Sequence, residues 1–218
     1  MKLCAMMALA VCAAVISPGF SAAAFIALDG NVPQPNQENI LLNSGSLALS
    51  IPGTTNNSGA VIDFTSASQL LTDPSSGQAR VEASLAGSQV AISDSITITP
   101  GTPGLSFSSV VFNTFVGGGV GVGGSLTIVA SGFDIFNAPE STTFTLDDDS
   151  NPLAIGNGAN FFTVVADGGS RMTSLEIIPN TGTTYADLRQ IRIGLVPEPT
   201  TLALGVFGLL GVGLVRRR

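Results

Sequence analysis

Along much of the chain's middle, apolar and polar residues alternate with a period of two. Ser46-Leu47-Ala48-Leu49-Ser50-Ile51, Val90-Ala91-Ile92-Ser93-Asp94-Ser95-Ile96-Thr97-Ile98, Thr143-Phe144-Thr145-Leu146 and Gln190-Ile191-Arg192-Ile193 all follow this pattern. Successive side chains of a strand point to opposite faces, so each segment predicts a strand with one buried face. Phe161-Phe162-Thr163-Val164-Val165 and Ser125-Leu126-Thr127-Ile128-Val129 are more continuously apolar and predict central strands, while Leu175-Glu176-Ile177-Ile178 predicts a strand ending against Pro179. Turn residues punctuate the runs at Pro52-Gly53, Asn57-Ser58-Gly59, Pro100-Gly101, Pro103-Gly104, Asn157-Gly158 and Asp167-Gly168-Gly169. A single helical turn near Ser66 to Leu71 is the one helical expectation. Turns recurring roughly every 8 to 12 residues predict an all-β fold: a single β-sandwich or jelly-roll-like domain over residues 25–195.

The two ends carry different patterns. Met1-Lys2 is a short positive start, Leu3 to Ile16 an apolar run, Pro18-Gly19 a break and Ala22-Ala23-Ala24 a small-residue site, which together read as a signal peptide over residues 1–24. Cleavage after Ala24 removes both cysteines, Cys4 and Cys12, so the exported body is expected to hold together through its core without a disulfide. Near the other end, Thr200 to Val215 are 16 residues without a charge. As a helix they reach about 24 Å at about 1.5 Å per residue, against a hydrocarbon core of about 30 Å. That is enough for a marginal transmembrane helix. Gly205, Gly208 and Gly211 place small residues at a spacing of three, where a second helix can approach closely. Arg216, Arg217 and Arg218 follow directly. Arginines beside a membrane segment stay on the cytoplasmic side, which places the body across the membrane in agreement with the N-terminal export signal.

Val196-Pro197-Glu198-Pro199, then the apolar run, then the three arginines resemble, in that order, the PEP-CTERM sorting signal of exported proteins in Gram-negative bacteria that make extracellular polysaccharide. The resemblance spans residues 196–218. It implies an exosortase-type membrane enzyme as partner, cleavage near Pro197-Glu198-Pro199, and a body that waits in the periplasm on the inner membrane before passing to the cell surface or matrix. The residues themselves make a processing site reasonable. Pro197 and Pro199 fix φ, remove two backbone donors and push Val196 and Glu198 toward extended conformations, so the segment is expected to stay accessible and outside any helix or central strand. Glu198 would lie at the outer interface, within reach of a basic group. Residues 133–195 also look like the middle regions that accompany this signal, through Gly156-Asn157-Gly158-Ala159-Asn160-Phe161-Phe162 and Ala186-Asp187-Leu188-Arg189-Gln190-Ile191-Arg192-Ile193.

Composition narrows the chemistry. The 218 residues contain no His, and no Cys remains after export, so Ser-His-Asp, Cys-His and imidazole or thiolate zinc chemistry are excluded. A glycosidase would have to pair two of Glu38, Glu82, Glu140 and Glu176. Sugar clefts favour large aromatics, yet the chain has no Trp and one Tyr, and its Phe residues read as core. No enzymatic activity and no catalytic residue are expected. Residues 25–195 hold 4 Arg against 14 acids, a net charge of −10, the wrong sign for nucleic acid. Anionic polysaccharide would need a bridging cation. Asp147, Asp149 and Asn151 place oxygen ligands at alternate positions and are calcium candidates, with Asn157 or Asp167 available to complete a site, although Pro152 and Gly158 depart from the usual loop. No other cofactor is implied. Gly119-Val120-Gly121-Val122-Gly123-Gly124 matches a phosphate-binding pattern, but a strand follows it where a helix is required, so it reads as a loop. Arg189 and Arg192, at odd spacing, should face opposite sides of a strand, each pairing an acid such as Asp187. The expected function is that of an exported, non-enzymatic envelope or matrix protein, structural or adhesive. The alternative is a carbohydrate-binding or carbohydrate-active domain, calcium-assisted.

Overall fold

The computed structural model of the protein describes residues 24–42, 45, 47–74, 77–117, 119–146 and 155–198. These residues form one all-β sheet of 15 strands, in which every strand pairing is antiparallel. One part of the sheet runs β1 (Phe25–Asp29), β13 (Gly158–Ala166), β10 (Leu105–Val116), β15 (Asp187–Pro197) and β7 (Arg80–Leu85), the last also pairing β5 (Leu71–Thr72) and β8 (Ser88–Val90). The other runs β12 (Pro139–Leu146), β11 (Leu126–Phe133), β14 (Arg171–Pro179), β9 (Ile96–Pro100), β4 (Val61–Ser66), β3 (Ser50–Thr55) and β2 (Gln37–Leu42), with β6 (Gly77–Gln78) on β2. The two parts meet twice, where β15 pairs β2 and where Phe107 of β10 pairs Met172 of β14. The path β10-β14-β9-β4-β3-β2-β15 therefore returns to β10, and the sheet is barrel-like. Closure of this kind leaves fewer edges open to foreign strands.

Alternation fills the interior as the pattern predicts. Leu126, Ile128 and Ala130 of β11, Ile62 and Phe64 of β4, Ile96 and Ile98 of β9, and Ile191 and Ile193 of β15 all join one core cluster. Phe25, Phe64, Phe107, Phe112, Phe162 and Tyr185 are its largest fully buried side chains, and the Phe112 and Phe162 rings lie 5.6 Å apart, tilted by 44°. Each such burial contributes roughly 1.5–3 kcal/mol, and among the described residues, which include no Cys, the core carries the stability. The expected central strands are central: β13 lies between β1 and β10, and β11 between β12 and β14.

Four local expectations are overturned. Leu47 and Leu49 are each 45% exposed, because residue 48 makes only an isolated bridge with Leu71 and the strand proper begins at Ser50. Pro52-Gly53 is no turn but the middle of β3. The β2 partner reaches β3 only at Thr54 and Thr55, so Pro52 is not asked for a donor on that side. A Cβ on Gly53 would stand 2.5 Å from Cγ2 of Ile40, and glycine is what lets the strand pack there. Nor is there a helical turn at 66–71, where bends lead into β5. Finally, Phe136 is not core: it is 86% exposed at the β11–β12 turn.

The bends at 66–69 are organised by Asp94, which also divides the long alternating run 90–98 into β8 and β9. Its Oδ2 accepts the hydroxyls of Ser66 at 2.9 Å and Ser68 at 2.8 Å and the amide of Ser68 at 2.6 Å, and its Oδ1 accepts the Ser95 amide at 2.8 Å. Burial pushes this carboxyl up, but the hydrogen bonds from Ser68, Ser66 and Ser95 outweigh it, and the pKa is lowered. Stability from Asp94 is therefore present above its unfolded pKa and lost as pH falls through the lower folded value. Asp94→Ala should cost about 1–3 kcal/mol in urea unfolding at neutral pH, and the gap to the parent protein should narrow in acid.

Candidate functional site

Of the four residues expected to form a sorting motif, Val196 and Pro197 end β15 and Glu198 follows it. Val196 pairs Ser106, and Pro197 pairs Leu105. The Glu198 amide donates to the Gly104 carbonyl at 2.8 Å, and the Ser106 hydroxyl donates to Glu198 Oε1 at 3.1 Å. Val196 and Pro197 thus join the sheet, but not within a central strand: β2 pairs β15 only through Gly194, so beyond that residue β15 is an edge, where a proline's missing donor costs nothing. Pro197 itself is exposed. Pro199 and Arg216, Arg217 and Arg218 lie outside the described residues, as do residues 1–23 of the expected signal peptide. Among the described residues no helix is long and apolar enough to cross a membrane.

Beside this strand end is an open cavity of about 290 Å³, bordered by Gln34, Asn36, Ser108, Ser109, Leu195 and Val196 among others. A β-bulge builds it. Between Phe107 and Ser109 the β10 strand takes one residue more than β15, and the extra residue is Ser108. A Cβ on Gly194 would lie 2.5 Å from the Ser108 hydroxyl and 2.7 Å from that of Ser109, so any larger residue opposite the bulge would have to turn both hydroxyls away. Gln37 donates to Ser109 Oγ at 3.3 Å. The wall offers hydroxyls and amides and no charged group.

A second bulge corrects the expected geometry of the arginines. Gln190 has φ 53°, and four residues of β15, from Arg192 to Arg189, match three of β10, from Val111 to Asn113. The extra residue reverses the alternation. Leu188, Ile191 and Ile193 enter the core, and Arg189 and Arg192 both lie on the outer side of the strand. Arg192 bonds Asn31 and not an acid. Arg189 binds Asp187 through Nε and Nη2 as expected and stacks over Phe115 at 3.8 Å.

Asp187 is the centre of a charge cluster that the sequence pattern does not disclose. Register places it opposite Glu82, and Arg189 opposite Arg80. Arg80 bonds Asp187 at 3.2 Å and Glu82 at 2.6 Å. Both carboxylates are buried. Burial pushes the Glu82 carboxyl up; Arg80 opposes this and Asp187 adds to it, leaving the pKa raised. The two acids are engaged by guanidinium groups, which is the geometry of a structural network and not of a paired acid and base.

The other glutamates do not assemble. Glu38 accepts the Asn57 and Ser58 amides at 2.9 and 2.7 Å and caps the turn there. Burial pushes its carboxyl up, but those hydrogen bonds prevail and the pKa is lowered. Glu140 and Glu176 lie on β12 and β14, which β11 separates. The Gly119–Gly124 segment runs into strand β11 as expected, and its close approaches are to the chain itself: a Cβ on Gly121 would meet Tyr185 Cα and Ala186 N at 3.0 Å. In the 156–162 segment, the Asn160 side chain ties Gly156 and Thr114 together. The calcium candidates Asp147, Asp149 and Asn151 lie outside the described residues, and among the described residues no cluster of acids, His or Cys is arranged to hold a metal. No protein-family model matches the chain, and no curated protein matches it.

Proposed function

We propose that the chain is an exported, non-enzymatic protein of the cell envelope or matrix, held at the inner membrane through residues 196–218 until an exosortase-type enzyme processes it, with a structural or adhesive body. We further read the barrel-like sheet as a flattened β-sandwich, with the β1-β13-β10-β15-β7 layer over the β12-to-β2 layer. One observation carries the reading. Ala24 accepts the Asp167 amide at 2.8 Å, Phe25 pairs Ala166, Val165 pairs Ser109, and Leu105 pairs Pro197. The chain therefore enters and leaves the body at the same end, so the apolar stretches 3–16 and 200–215 are both attached where a membrane would lie.

Fractionation of the native host tests this. The full chain should be found with the inner membrane when processing is blocked, and a chain ending at Glu198 should be soluble in the periplasm. Equal solubility of the two would refute the anchoring role. The carbohydrate-binding reading is favoured by the uncharged hydroxyl- and amide-lined cavity at Ser108 and Ser109. Chemical-shift changes confined to that cavity on adding neutral monosaccharides would support it. A melting temperature indifferent to millimolar calcium would remove its calcium-assisted form.

A further inference from the structure

The β11–β12 turn carries the most exposed aromatic of the described residues. Phe136 is 86% and Ile135 63% exposed. Soluble surfaces tolerate single apolar residues, but two large ones at the summit of a rigid turn form a wedge. The turn is built from within. Asp134 Oδ1 accepts the amides of Phe136 at 2.9 Å and Ala138 at 2.7 Å, its carbonyl accepts the Asn137 amide at 3.0 Å, and its own amide donates to Ala138 at 2.9 Å. Asn137 adopts φ 66° to close the turn, and Arg171 bonds its side-chain carbonyl while stacking over Phe133 at 4.6 Å. Amides 136, 137 and 138 thus have partners inside the turn, which lowers the cost of moving it out of water.

The location of the wedge selects its occupant. Phe133 pairs Arg171, Met172 pairs Phe107, and Phe107 pairs Leu195. Ile135 also lies 3.4 Å from where a Cβ on Gly169 would stand, in the turn that follows Ala166. The wedge is therefore at the end of the body where Ala24 and Glu198 lie, together with Ile26, itself 37% exposed. Leu85, 69% exposed, belongs to the opposite end, since β7 runs from Arg80, opposite Arg189, past Glu82, opposite Asp187, away from Pro197. Tethered through residues 196–218, the body can bring this tip and not Leu85 to the bilayer.

We propose that Ile135 and Phe136 insert into the lipid interface while the C-terminal segment holds the protein, making a second contact that sets the body's orientation. This rests on the anchoring role proposed above. Aromatic and aliphatic side chains suit the interface, and Asp134 in the turn, Glu140 opposite Gly132 and Asp167 in the neighbouring turn outnumber Arg171 and direct the tip to zwitterionic lipid.

The chain has no Trp, so Phe136→Trp provides a single reporter, with Leu85→Trp as the control at the far end. The full 218-residue chain is reconstituted with phosphatidylcholine vesicles containing brominated lipid. The expected result is co-flotation of both variants, with the fluorescence of Phe136→Trp quenched about twofold or more and that of Leu85→Trp unquenched. Co-flotation with equal quenching of the two variants would overturn the wedge and leave the anchor standing. Failure to co-float would overturn both. A Phe136→Trp variant shielded from aqueous iodide yet unquenched by brominated lipid would replace the bilayer with a protein partner and also overturn the proposal.

Discussion

Asp187→Ala should destabilise the protein by about 2–4 kcal/mol in urea unfolding at neutral pH. Asp187 is fully buried and binds Arg80 and Arg189, so its removal leaves two cations facing each other across β7 and β15. Breaking a buried ion pair by deleting one partner costs about 3–5 kcal/mol; the arginines here reach solvent in part, which lowers the figure. Glu82→Gln should behave differently, staying within about 1 kcal/mol of the parent. Glu82 faces Asp187 directly, and its raised pKa means that the fold penalises its charge. The sign follows from linkage. A carboxyl whose folded pKa is raised imposes a penalty that is absent below its unfolded pKa and grows as pH rises to the folded value. The Glu82→Gln variant should therefore gain on the parent protein at neutral pH and lose that advantage in acid. A loss from Glu82→Gln as large as that from Asp187→Ala would show that the buried Glu82 carboxylate carries no net penalty and that its pairing with Arg80 prevails.

Gly132→Ala should cost a similar amount, about 2–4 kcal/mol, for a reason of packing. Between Ser131 and Gly132 the β11–β14 register shifts by one residue, with Thr173 left over on β14. That bulge presses the neighbouring backbone inward, so a Cβ on Gly132 would be driven into the Arg171 carbonyl oxygen and to 2.8 Å from Met172 Cα. Backbone held between β11 and β10, where Met172 pairs Phe107, cannot swing aside as a side-chain tip does. Ser131→Ala, one residue away and half-buried, loses only a hydroxyl contact with Ser141 and should cost about 1 kcal/mol or less. Thermal melting of the two variants side by side separates the packing effect from a general sensitivity of β11. Comparable losses would contradict it.

The alternation of apolar and polar residues discloses the fold class because burial on one face is a local property that sequence can record. β9, β11, β13 and β14 are found where the pattern places them, and β15 extends on either side of its predicted core. What the pattern misses are long-range events. The bulge at Gln190 depends on the register of β15 against β10, and it alone puts Arg189 and Arg192 on one side. Pro52-Gly53 has the composition of a turn and becomes strand because Ile40 occupies the space a side chain would need. The Asp187 cluster has a partial local signal, an acid two residues before an arginine, but Arg80 and Glu82 join it only through strand pairing. Phe136 is apolar and was expected inside; Asp134 and Asn137, which make the turn beneath it, are the local signs that it is a tip.

The strand β15 brings Pro197 to an exposed edge as its last residue, and Glu198 is held by Gly104 and Ser106. A processing enzyme would meet Glu198 bound to β10. Cleavage on the far side of that residue would leave the pairing of β10 and β15 intact, whereas cleavage before Pro197 would first have to open it. Intact-mass analysis of the mature protein from its native host tests the account most directly. The account predicts one species that begins near Phe25, ends at or just beyond Glu198 and lacks Arg216 to Arg218. Mature protein that retains those arginines would contradict it, leaving the C-terminal segment a permanent anchor.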